Sequence, residues 1–374
     1  MKKAFFLFFI AILWSSCSQP IEEMHPIEEY KPEWAEGFTL GHDSLSHKKI
    51  MVIKDHIEGE NSHKQIIIFD SINQSKSLGN GLFVIHVPVK KVALMSTSFA
   101  AMLSKTGFEN CIVGMSGTQF LLEPKVRERI DNGECVEIGN ESNLDLEKMK
   151  AIGTDLVLLN GMRTDNSRLE KKLQQIGIPY IYIGDYIEST PLGKCEWVVA
   201  LSEIMGDRQK GIYLFSQIRD RYLQLKSIQF QNRPKVMVNT PYRDVWFMPG
   251  KKNYMARLIE DAGAEYIFTE NTGLESVPIS MEEALRLTSE CDYWINVGQY
   301  TSLKKLCEDM PLFCNLKVVR LRHIYNNNRL RTSLGGSAFW ESGCMEPDLI
   351  LQDLLTIFHP EISSKELKYY SCLE

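Results

Sequence analysis

The chain has 374 residues, of which 44% are hydrophobic and 24% charged, with a formal net charge of -6. That length allows two domains of ordinary size, and that composition supplies real hydrophobic cores and excludes a disordered chain. The negative balance, with no wide basic block beyond the first residues, argues against nucleic acid as a partner, because phosphate binding needs a basic face that displaces counterions.

At the start, Lys2 and Lys3 precede an apolar run from Ala4 to Trp14, and Ser15 and Ser16 lead into Cys17. The run is shorter than the roughly 20 residues needed to span a bilayer and suits the core of a signal peptide. A cysteine directly after such a core resembles the site where bacterial lipoproteins are diacylated and cut, although Trp14 departs from the small or aliphatic residues usual there. Residues 1–16 are therefore expected to be a signal peptide, with a lipid on Cys17 as the covalent group. The mature chain would be anchored to a membrane of the cell envelope, facing the periplasm or the cell surface. Each buried lipid methylene contributes about 0.8 kcal/mol to such anchoring.

Residues 17–36 carry Pro20, Pro26, Pro32 and many glutamates and read as an extended tether. Across 37–90, short apolar runs (Ile50 to Ile53, Gln65 to Phe69, Leu82 to His86) broken by polar turns predict a small antiparallel β extension with no chemistry of its own. From Lys91 the rhythm changes. Apolar runs at Val92–Met95, Cys111–Gly114, Leu156–Leu159 and Tyr180–Ile183 alternate with segments of helical period. A second set follows at Val236–Val238, Tyr266–Phe268, Tyr293–Val297 and Val318–Leu321. The alternation predicts an α/β fold with two Rossmann-like lobes, residues 91–205 and 229–361, each built around a buried parallel sheet.

Between the lobes, Pro191–Met205 reads as helix, Gly206 breaks it, and Ile212, Phe215, Ile218, Tyr222 and Leu225 then recur at spacings of three and four. One helix over 206–228 would reach about 30 Å and join the lobes as a single strut that limits closure. Residues 362–374 read as a tail. Cys111, Cys135, Cys195, Cys291, Cys307, Cys314, Cys344 and Cys372 show no CxxC spacing and read as buried thiols, though an exported chain permits disulfides. His86, His323 and His359 are scattered, without carboxylates at ligand spacing, so a bare metal ion is not the expected ligand.

Both halves share a short pattern. Asp145-Leu146-Glu147 precedes Asp155 and the Leu156 run, and Ser280-Met281-Glu282 precedes Asp292 and the Tyr293 run. A capping residue, an apolar residue and a glutamate open a helix that leads to a buried strand. Taken singly, such glutamates complement the helix dipole; their matched positions point further.

These residues bring a family into view. The chain resembles the periplasmic binding proteins for iron-siderophores, haem and cobalamin over about Lys91 to Glu361. The resemblance rests on Pro191-Leu192-Gly193-Lys194-Cys195-Glu196-Trp197, on Trp246-Phe247-Met248-Pro249-Gly250, on Glu260-Asp261-Ala262-Gly263-Ala264, and on Phe339-Trp340-Glu341 through Pro347-Asp348 to His359-Pro360-Glu361. It implies two lobes joined by one long helix, a ligand cleft between them and no catalysis. It also implies a ligand that is an iron or cobalt chelate, an ABC importer permease as partner, and Glu147 and Glu282 as docking residues that meet transporter arginines. Residues 18–90 depart from the family.

Ligand contacts in such a fold are expected in loops at the carboxyl ends of the strands. The candidates are Ser98 and Phe99, Thr118, Arg163, Tyr242, Trp246 and Phe247, Tyr300, and Arg329 and Arg331. Trp246 leads, because a flat aromatic suits a porphyrin, corrin or catecholate. The arginines suit carboxylates or catecholate oxygens of an anionic chelate. The alternative is an envelope hydrolase or chelatase-like enzyme: Gly114-Met115-Ser116-Gly117-Thr118 is similar to a nucleophile elbow, but Thr118 stands where the second glycine belongs.

Overall fold

The computed structural model describes residues 26–54, 65–72, 74–79, 81–160, 167–362 and 364–374. The expected signal peptide, Cys17 and Arg163 lie outside the described residues.

The chain begins with a six-stranded sheet: β1 (Pro26–Tyr30), β2 (Phe38–Asp43), β3 (Lys49–Ile53), β4 (Gln65–Asp70), β5 (Lys76–Gly79) and β6 (Leu82–His86), in the order β1-β2-β3-β4-β6-β5. All neighbours are antiparallel except β4 and β6, which run parallel. Alternate residues Phe38, Leu40, Met51, Ile53, Ile67, Phe69, Phe83 and Ile85 enter the core, the period of two that a half-buried strand requires. Phe38 packs on Trp197 with ring centroids 4.9 Å apart, and Phe83 meets Tyr180 at 5.0 Å, so the extension is part of the first lobe's core.

The first lobe follows: β7 (Val92–Leu94), α1 (Thr97–Lys105), β8 (Ile112–Met115), α2 (Pro124–Asp131), β9 (Val136–Glu137), the hairpin β10 (Gly139–Asn140) and β11 (Asn143–Leu144), α3 (Leu146–Ala151), β12 (Leu156–Asn160), α4 (Ser167–Ile176) and β13 (Tyr180–Ile183). Its parallel sheet has the order β13-β12-β7-β8-β9. Thr190 caps α5 (Pro191–Ile204) by accepting from the Gly193 amide, with proline in the first turn. Gly206, at φ 86°, ends that helix and Asp207 caps α6 (Arg208–Lys226), whose 19 residues extend about 28 Å.

The second lobe contains β14 (Lys235–Val238), β15 (Trp246–Met248), α7 (Tyr254–Asp261), β16 (Glu265–Tyr266), β17 (Val277–Ile279), α8 (Met281–Glu290), β18 (Tyr293–Ile295), α9 (Leu303–Asp309), α10 (Lys317–Arg320), β19 (Ile324–Asn326), α11 (Pro347–Phe358) and β20 (Ser371–Cys372). Its sheet runs β16-β14-β18-β19-β20, parallel except for β20, and β15 pairs with β17 apart from it.

Four expectations need correction. The Val318–Leu321 run is helical, in α10, and the strand lies later, at β19. The tail is not peripheral: Tyr369 and Tyr370 are buried and β20 completes the second sheet. Cys307 and Cys314 form a disulfide and Cys372 is exposed, so the eight cysteines are not all buried thiols. The tether also ends earlier than expected, because β1 begins at Pro26 and the following strap is fastened to α5.

That fastening is built from two buried carboxylates. Glu196 accepts hydrogen bonds from the backbone amides of Glu33, Trp34 and Ala35 at 2.8–3.0 Å and from the Tyr30 hydroxyl at 2.7 Å. Glu188 accepts from the amides of Glu36 and Gly37 at 2.9 and 3.0 Å and from the Trp197 indole at 2.8 Å. Five consecutive amides thus end on two acids, which compensates the cost of burying both charges.

The strut is not the only link between the halves. After β19 the chain crosses back: α11 packs along α6, and the turn Ser342–Met345 rests on α1. Lys105 pairs with Glu346 at 2.7 Å, and the buried Glu341 accepts from the Leu122 amide at 2.9 and 3.1 Å. Burial pushes the Glu341 carboxyl up to about 7, helped by the neighbouring Glu123 and opposed by the Leu122 and Glu123 amides and by Arg127. A carboxyl that binds its proton more tightly in the folded state contributes stability that is full below its unfolded value of 4.5 and is lost as pH rises through about 7. The difference is on the order of 3 kcal/mol. Glu341→Gln keeps an acceptor for Leu122 without the charge, so its stability should vary less between about pH 5 and 8 in urea unfolding than that of the parent chain.

Candidate functional site

Three parallel strands of the second lobe run into asparagines: β14 into Asn239, β18 into Asn296 and β19 into Asn327. Asn239 and Asn296 have φ values of 67° and 57°. That left-handed backbone suits asparagine, whose short carboxamide can hydrogen-bond locally. The turns lift the chain off the sheet and place all three residues in the wall of one pocket, with a volume of about 590 Å³. Asn253, Gln299 and Asn328 also line it, bringing the carboxamides to six, with Tyr254 and Trp340 as the aromatic wall. Arg331 is the only charged residue of that lining.

Some of these amides are held in place. Asn239 donates to the Phe247 carbonyl at 3.0 Å, Asn253 caps α7 by accepting from the Met255 amide at 3.0 Å, and Asn296 accepts from the Tyr370 hydroxyl at 3.0 Å. The side chains of Gln299 and Asn327 make no hydrogen bond, and Arg331 no ion pair, among the described residues. The site therefore presents spare amide donors and acceptors and one unpaired guanidinium.

The lining comes wholly from residues 239–340, so the pocket is not the expected cleft between the lobes, although the loop that carries Arg331 reaches the first lobe. A Cβ on Gly336 would come within 2.0 Å of the Phe120 carbonyl oxygen, so the loop carrying Arg331 lies against the turn after β8. Tyr254 meets Trp340 edge-on at 6.2 Å, and the Lys194 ammonium, from the start of α5, sits 5.6 Å from the Tyr254 ring. Lys194 is 3.8 Å from the buried Asp185, whose carboxyl burial raises and Lys194 opposes.

Of the expected ligand residues that are described, Arg331 lines the pocket and the others are elsewhere. Trp246 is fully buried: its indole donates to the Val238 carbonyl at 3.1 Å and stacks on Trp294 and Phe313 with centroids 5.8 and 5.6 Å away. It pins the end of β14, just before Asn239, and is not part of the pocket lining. Trp294 does the same one residue on, donating to the Asn239 carbonyl at 2.7 Å. Phe99 is core, and Ser98 is buried at the start of α1 with its hydroxyl 2.8 Å from that of Ser96. Thr118 gives its hydroxyl to Glu137 at 2.8 Å. Tyr300 is buried and lends its carbonyl to Asn326 and Asn328, while Arg329 turns away to pair with Glu366. Tyr242 and Phe247 are exposed outside the pocket. Gly298, Gln299, Asn327, Asn328 and Arg331 of the lining follow β18 and β19 at their carboxyl ends, and the amides among them are not among the residues expected from sequence. The signal was present: VMVN, YWIN and HIYNN each end an apolar run in asparagine.

Glu147 and Glu282 occupy equivalent places. Each is exposed in the first turn of its helix, α3 or α8, behind a cap in which Asp145 accepts from the Lys148 amide at 2.9 Å and Ser280 from the Glu283 amide at 3.1 Å. Neither glutamate forms an ion pair among the described residues, whereas the adjacent Glu283 is held by Arg286 at 2.7 Å. His323 and His359 bind the backbone carbonyls of Asp292 and Gly263 in the second lobe, so neither is held as a base for Ser116, which follows β8 in the first lobe.

A family model described as periplasmic binding protein matches residues 92–327. An uncharacterized lipoprotein of Methanocaldococcus jannaschii is 24% identical over 295 residues, covering 76% of this chain and 69% of that one. Among solved structures, a periplasmic haem-binding protein of Pseudomonas aeruginosa superposes with a TM-score of 0.58 at 16% identity, over 76% of this chain and 98% of that one. A siderophore-binding protein of Vibrio cholerae, solved with Fe3+-Desferal, gives 0.52 at 13% identity over 72% and 99%. At such identities the structural likeness speaks for the fold alone.

Proposed function

Because the chain belongs to the periplasmic binding protein family of ABC-type import, we propose that it is an envelope lipoprotein, anchored through Cys17, that captures a metal chelate in the carboxyl-end pocket and delivers it to a permease. The observation that carries the ligand reading is the lining of that pocket: six carboxamides, an aromatic wall, one arginine and no carboxylate. A volume of about 590 Å³ suits a drug-sized ligand or one face of a larger one. Such a wall recognises a periphery of amides, hydroxyls or hydroxamates with at most one anionic group. A corrinoid or a hydroxamate siderophore fits it better than haem, whose two propionates call for more than one cation. The metal would arrive chelated, because the amides and the single arginine of this wall are poor ligands for a bare ion. The disulfide between Cys307 and Cys314 agrees with an oxidising compartment outside the cytoplasm. The lipoprotein relative supports the anchor.

Titration of the parent chain, Arg331→Gln and Trp340→Ala with cyanocobalamin and with a ferric hydroxamate tests this reading. Loss of the arginine should weaken binding about tenfold, and loss of the half-exposed indole should cost about 2 kcal/mol. Unchanged affinity in both folded variants would place the ligand elsewhere.

A further inference from the structure

A second cavity, of about 230 Å³, lies where the strap, the start of α5, the end of α6 and α7 meet, and it plays no part in the reading above. Its walls include Trp34, Thr190, Tyr222, Lys226, Arg257 and Asp261. Trp34 is not an incidental loop residue. Its backbone amide ends on Glu196 at 2.8 Å, and its carbonyl lies so near Gly193 that a Cβ there would come within 2.8 Å. The Trp34 indole nitrogen is buried and has no hydrogen-bond partner among the described residues. Buried donors are almost always paired, and leaving one unpaired costs about 1–3 kcal/mol, so this one calls for an acceptor.

The other polar groups of the wall point the same way. The Thr190 oxygen already accepts from the Gly193 amide at 2.9 Å, which leaves its own proton to donate. Asp261 is engaged on both oxygens, by the Lys226 ammonium at 2.9 Å and the Tyr222 hydroxyl at 2.7 Å. Arg257, one turn earlier on α7, has no ion-pair partner among the described residues. Two cations against one carboxylate leave the wall with a charge of +1, and its uncommitted groups are donors.

We propose that this cavity binds a phosphate-type oxyanion, held by Arg257, the Thr190 hydroxyl and the Trp34 indole N–H. Its walls come from both halves of the chain, so the anion would tie the strap to α7. The source is either a free phosphate or the phosphodiester headgroup of a lipid. From Cys17 to Pro26, where β1 begins, the contour is at most about 30 Å, so an anchored body would stay close to the lipid surface that holds it.

The test uses the full chain in detergent, labelled with 15N, with the Trp34 indole resonance identified by its loss in Trp34→Phe. Inorganic phosphate and glycerophosphoglycerol are titrated separately. The resonance should move saturably, and Arg257→Gln should weaken the response about tenfold while leaving the chelate titration unchanged. Saturation by either anion upholds the site and identifies its source. No saturable shift with either, or equal affinities by calorimetry in the parent, Trp34→Phe and Arg257→Gln chains, overturns it.

Discussion

Replacing Glu196 by Ala should destabilise the chain by about 4 kcal/mol or more, one of the largest effects available to a single substitution here. Glu196 is 1% exposed and accepts four hydrogen bonds, three from consecutive amides and one from Tyr30. Removing it leaves the Trp34 and Ala35 amides without partners at a site too enclosed for water to replace them all. It also cuts the strap that joins β1 and β2, so the loss should spread into the first sheet. Glu196→Gln keeps one acceptor oxygen but turns an amide group towards the remaining N–H donors, and should lose roughly half as much. Urea unfolding gives the magnitude, and amide exchange at residues 33–37 localises it. A loss below about 1 kcal/mol with protected amides would show that the strap is held by packing alone.

The clamp also shows what a sequence hides. The strap and Glu196 are more than 160 residues apart, and no local pattern links them. Most of the parallel strands were legible because a strand buried on both faces must be a short apolar run between turn residues. The Val318–Leu321 run met the same description and is α10, since four apolar residues cannot distinguish the two periods. Trp246 was misplaced for another reason. In Trp246-Phe247-Met248 the strand period sends the first and third side chains inward and the second outward, and only the pairing with β17 sets which face is core. Asn239 and Asn296 were readable in principle, as residues that follow a buried strand and take a positive φ. They carried no charge or aromatic ring to draw notice.

Reversing both Glu147 and Glu282 to Lys should abolish uptake while leaving chelate affinity unchanged. A binding protein presented to a two-fold permease needs one anchor on each lobe, and these two carboxylates are exposed, without an ion pair among the described residues, and placed alike behind their caps. Carboxylate–arginine pairs fix orientation as well as adding energy, and truncating a desolvated pair costs about 2–5 kcal/mol. Two reversals together should therefore reduce transport by two orders of magnitude or more, roughly. If the glutamates only complement helix dipoles, each change would alter stability by about 0.5 kcal/mol and uptake would persist. Transport by a reconstituted permease separates the outcomes: parent-level uptake from the double Lys chain rules out docking through these residues.

On the reading proposed above, the carboxyl-end pocket takes a preformed metal chelate. Titrating the folded full chain with cyanocobalamin, a ferric hydroxamate, a ferric catecholate and haemin, followed by calorimetry and by absorption, measures it directly. Saturable one-to-one binding of the corrinoid or the hydroxamate is the expected result, tighter than that of haemin. Failure of all four to saturate a chain shown to be folded would contradict it.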